Sequence, residues 1–88
     1  MGTAPLSAVL AATADRLAAM NPAAPMSPAA LHTEVQLSVW DWHGVYNDAV
    51  VGRDITAALT AVAALPLTGT RATYAADLRR QLATAVTR

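Results

Sequence analysis

His43 is the residue in this chain best suited to move a proton, and the run around it holds most of the available chemistry. That run, LSVWDWHGVYND at residues 37–48, carries both tryptophans, one of two tyrosines, one of two histidines and two of six acids. A catalytic use makes His43 the general base, Asp41 or Asp48 the group that orients it, and Tyr46 the acid or hydrogen-bond donor. Helical spacing opposes that use. Asp41 and His43 are two residues apart, about 200° around a helix, so their side chains diverge; on a strand they would share a face. Asn47 reaches His43 from the next turn but is no proton acceptor for the role. Metal ligation is less favoured still. His32 and His43 are eleven residues apart, about 16 Å along a helix axis, and no HxxxH, HExxH or calcium-loop spacing occurs. No cofactor is expected.

The same run makes a better binding surface. Leu31, Val35, Val39, Trp42, Tyr46 and Ala49 step by four, four, three, four and three, which places them on one helical face at about 100° per residue. Leu37, Trp40, Gly44 and Val51 fall on nearly the opposite face, with Asp41 and Asp48 at its edge. Apolar groups on both sides call for burial on both sides. The expectation is that Trp42 belongs to the core while Trp40 anchors a contact between molecules in a pocket that Gly44 leaves open.

The elements that would carry these residues read as helices. Residues 5–20 place Leu6, Leu10, Leu17 and Met20 together at helical spacing, with Asp15 and Arg16 turned away. Pro22, Pro25 and Pro28 end that helix, and Ser27 before Pro28 is an N-cap followed by proline in the first turn. The second helix then runs through the tryptophans, with Gly44 as a kink and Gly52 as its end. Asp54 can cap a third helix to about Leu65, with Ile55, Leu59 and Val62 inward. Thr70 can cap a fourth, striped by Tyr74, Leu78, Leu82 and Val86. The fold expected is a small all-α four-helix bundle with short loops, one helical domain over residues 1–88. The alternative is α+β, because Val35, Leu37 and Val39 also alternate as a strand near residues 33–42 would.

Composition limits what such a domain can do. Twenty-two of the 88 residues are Ala and none is Phe, so the core is thin and shared burial in a homo-oligomer or with another protein is expected. Six Arg and six acids cancel to a net charge of zero, which disfavours nucleic acid and anionic membranes as partners. Cysteine is absent, excluding thiolate chemistry. No signal peptide or apolar span of membrane length is visible, so a cytoplasmic chain is expected. The pentapeptide LPLTG at residues 65–69 matches a sortase signal, but an amphipathic helix comes directly after it, so it reads as a loop. A carrier-protein arm would need serine where Ile55 stands. Composition points to a GC-rich bacterial genome. The function expected is a non-enzymatic interaction module or small accessory subunit that uses the Trp40 face. The alternatives are a small enzyme using His43, Tyr46 and Asp41, and a small DNA-binding regulator built on helices three and four.

Overall fold

The computed structural model describes residues 4–44 and 48–86. Among the described residues the chain forms four helices and no strand: α1 (Leu6–Ala19), α2 (Pro28–His43), α3 (Asp48–Ala61) and α4 (Arg71–Val86). The all-α expectation holds. The strand alternative fails because residues 33–42 lie inside α2, where a capped start outweighs a short alternating pattern. Ser27 is extended and accepts a hydrogen bond from Ala30 N at 3.1 Å, with Pro28 in the first turn. Thr70 does the same for α4, accepting from Thr73 N at 3.2 Å. Each cap satisfies an amide that the helix itself leaves unpaired.

α1 lies at the centre and packs against α4, α2 and α3, while α2 also packs against α3. Val9, Leu10, Thr13, Ala14 and Leu17 form its buried face. Across from them Leu31, Val35, Ser38 and Val39 of α2 are buried, and the hydroxyls of Thr13 and Ser38 meet at 3.2 Å. Tyr74, Ala75 and Leu78 bury α4 against this core. No close packing joins α3 to α4 among the described residues; Gln81 Nε2 spans the gap by donating to Ala61 O at 3.2 Å. Leu6 and Met20, expected inward, are exposed because each sits at an end of α1, beyond the depth its neighbours cover.

The proline-rich connection does more than space two helices. Met26 N donates to Gly69 O, Arg71 N to Ala24 O and Ala72 N to Pro22 O, all within 3.0 Å. Residues 21–26 therefore strap the start of α4, and LPLTG is the other half of that strap. Gly69 takes φ 81°, a left-handed conformation that favours glycine.

One boundary differs from the sequence expectation and moves the candidate site with it. α2 ends at His43, not near Gly52, because Gly44 adopts φ 68° and donates its N–H to Trp40 O at 3.0 Å. That is the left-handed C-terminal cap glycine supplies readily. α3 then starts at Asp48, so Gly52 and Asp54 lie within it and Asp54 is not a cap.

Candidate functional site

The start of α1 and the end of α2 meet at Asp54, in the middle of α3. Val51, Asp54, Ala58 and Val62 are buried at helical spacing, which turns the Asp54 carboxylate inward with the apolar residues of its face. A buried carboxylate needs donors, and it has two. Asp54 Oδ2 accepts from Ala4 N, just before α1, at 2.9 Å, and lies 2.7 Å from His43 Nε2 at the end of α2. The His43 and Asp54 side chains are only 5% and 6% exposed.

This pairing relocates the partner expected for His43. Asp41 diverges from His43 as helical spacing predicts, and pairs instead with Arg16 of α1 on the surface. Asp48 opens α3, and its side chain, like all of Tyr46, lies outside the described residues. The acid that meets the imidazole is Asp54, eleven residues on. Its signal was present in the sequence: a carboxylate in register with Val51, Ala58 and Val62 on an inward stripe, obscured by reading Asp54 as a helix start.

The tryptophans exchange the places expected of them. Trp42 is 53% exposed, whereas Trp40 is half-buried against the core. Both follow from the early end of α2. Ala49 belongs to α3 and no longer extends the α2 stripe beyond Trp42. α3, returning from Asp48, covers the side of α2 that carries His43 and, one turn earlier, Trp40. Of the other residues expected with Trp40, Leu37 is half-buried, Val51 is buried and Gly44 is exposed. A Cβ at Gly44 would meet nothing within 4 Å, so that glycine serves its backbone angle and not the approach of a neighbour.

Beside Asp54 opens a cleft of about 360 Å³, walled by Leu6, Val9 and Ala57 with Pro5 at its edge and Arg53 and Asp54 as its charged residues. Leu6 is 42% exposed there. No family model, curated protein or solved structure matches this chain. Function must therefore be read from the chemistry of this end of the bundle. Among the described residues, Arg16, Arg71, Arg79 and Arg80 each face an acid, and Arg53 alone of the arginines does not. His43 does not line the cleft; the carboxylate stands between it and the opening. The pair has the geometry of a base and its orienter, but the imidazole is shut away from any substrate in the cleft.

A second, more apolar cleft of about 310 Å³ lies where α1, α3 and α4 diverge, between Leu6, Leu10, Ala61 and Leu82. Among the described residues no three His, Asp or Glu side chains gather closely enough to hold a metal ion. No described helix is long and apolar enough to cross a membrane.

Proposed function

We propose that this chain is a non-enzymatic helical interaction module that binds another protein at the end of the bundle where Trp42 and Leu6 are exposed. The observation that carries the reading is Trp42 itself, 53% exposed in the last turn of α2. Tryptophan is enriched among the residues that anchor interfaces, and an exposed indole at the end of the bundle that also exposes Leu6 has the surface such an anchor needs. This shifts the proposed contact from the Trp40 face to its neighbour, because Trp40 already packs on the core.

The reading is tested by placing a photo-crosslinking residue at position 42 and, as a control, at Thr33, exposed near the other end of α2. The expected result is a discrete adduct from position 42 and none from position 33, with solution mass separating a second copy from a different protein. Trp42→Ala should abolish binding while the helix content and unfolding midpoint stay near wild type. Equal adducts from both positions, or none, would overturn the reading.

A second reading has one specific observation in its favour, the 2.7 Å contact of His43 with Asp54. In it His43 is a general base and Asp54, in place of Asp41, its orienter. Burial of the imidazole behind Asp54 weighs against it. A hundredfold loss of a measured catalytic activity in a folded His43→Ala variant would restore it.

A further inference from the structure

Resting on the interaction reading above, we infer that the partner is a different protein presenting an acidic side chain next to an aliphatic one, the acid for Arg53 and the aliphatic group for the cleft of Leu6, Val9 and Ala57. The accessible charge at this end decides the sign. Asp54 lines the cleft but is 6% exposed and has its Oδ2 occupied by Ala4 N and His43 Nε2. Arg53 lines the same cleft, is exposed, and has no acid of this chain against it among the described residues. An incoming group therefore meets the exposed Arg53 guanidinium beside the aliphatic side chains of Leu6, Val9 and Ala57. Guanidinium favours a carboxylate, to which it can offer two parallel hydrogen bonds.

Size and charge then narrow the occupant. A cleft of about 360 Å³ lies at the small end of the range that accepts a ligand-sized group. It has room for a side chain and not for a helix. A second copy of the chain fits poorly, because its described exposed acids are engaged: Asp15 with Arg79 and Asp41 with Arg16. Docking either one on Arg53 would break an existing pair. Phosphate backbones fit poorly as well, since a chain of zero net charge gains little from counterion release.

The test uses the full chain, ¹⁵N-labelled, titrated with a terminally blocked peptide alternating Glu and Leu, with the same peptide carrying Gln for Glu, and with sodium acetate. The expected result is saturable shifts at Leu6, Val9, Arg53 and Ala57 with the Glu peptide. Affinity should fall about fivefold for the Gln peptide and by a similar factor in Arg53→Gln, the loss of one exposed charge-assisted contact. Arg53 is exposed, so its replacement leaves the fold intact. Absence of shifts at the cleft, indifference to Arg53→Gln, or acetate alone reproducing the peptide's affinity would each overturn the inference. Crosslinking from position 42 that persists while the peptide fails would remove the acidic partner and leave the interaction reading standing.

Discussion

Asp54 and His43 form a structural knot, and a double-mutant cycle measures it. Asp54 Oδ2 takes Ala4 N at 2.9 Å and His43 Nε2 at 2.7 Å, with both side chains almost wholly buried. Hydrogen bonds to a charged group contribute about 1.5–3 kcal/mol each, so Asp54→Ala, which loses both, costs about 3–5 kcal/mol. Small domains hold about 5–15 kcal/mol in total, so that variant sits close to unfolding. Asp54→Asn is the better perturbation, because it keeps the volume and one acceptor oxygen. Combined with His43→Ala, it should show a coupling of about 1.5–2 kcal/mol. In urea a protein of this size loses about 1 kcal/mol per molar. The midpoint of either single variant should therefore fall by about 1.5–2 M, with little further loss in the double variant. Far-UV circular dichroism tracks the transition. If the two losses add to within about 0.5 kcal/mol, the side chains act independently and the knot does not exist.

Other consequences are separately measurable. Tyr74 is 1% exposed and its Oη has no hydrogen-bond partner, so Tyr74→Phe should gain about 1 kcal/mol and raise the thermal midpoint by about 4–8 °C; a loss instead would mean that the hydroxyl is bonded. Burial, and then the charge of Asp77, push the Tyr74 pKa above its ordinary 10.0. The unfolded chain therefore gives up that proton first: the stabilising contribution is complete below pH 10 and is lost as pH rises through the raised value. The stability gap between Tyr74→Phe and wild type should widen in that alkaline window, and a constant gap would refute the assignment. Trp40→Ala should cost about 2–3 kcal/mol by denaturant titration and Trp42→Ala less than about 1 kcal/mol, the reverse order refuting their placement. Gly44→Ala should cost about 1 kcal/mol at φ 68°, read from the same titration, and a neutral result would mean that α2 does not end there.

Local chemistry made most of the helices legible. Ser27 with Pro28 and Thr70 announce their helices through side chains that act within three residues, and the stripes of α1 and α4 repeat at short range. The boundary between α2 and α3 was harder, because Gly44 and Gly52 both offer an end to a helix. Local propensity cannot choose between them. The choice falls on Gly44 because α3 can then turn Val51, Asp54 and Ala58 inward together. Burying Asp54 in turn requires donors from residues 50 and 11 positions away. No periodicity reports such a pairing, and the exchanged places of Trp40 and Trp42 follow from the same missed turn.

The knot also bears on how the proposed surface would work. Asp54 ties Ala4, two residues before α1, and the last residue of α2 to the middle of α3, and Leu6, Trp42 and Arg53 each stand within two residues of one of those three anchors. An interface built on loose chain ends would have to order them at binding, at about 0.5–1.5 kcal/mol for each immobilised side chain. Here the backbone beneath all three is held by one buried carboxylate. A buried charge of this kind is a poor source of net stability compared with well-packed apolar residues. Its use lies in geometry: it fixes the start of α1 and the end of α2 against the middle of α3, and so sets the spacing between indole, leucine and guanidinium. Asp54→Asn, while still folded, should therefore weaken partner binding by more than the change of one cleft-lining side chain accounts for, and it should do so without changing the exposure of Trp42 to a fluorescence quencher.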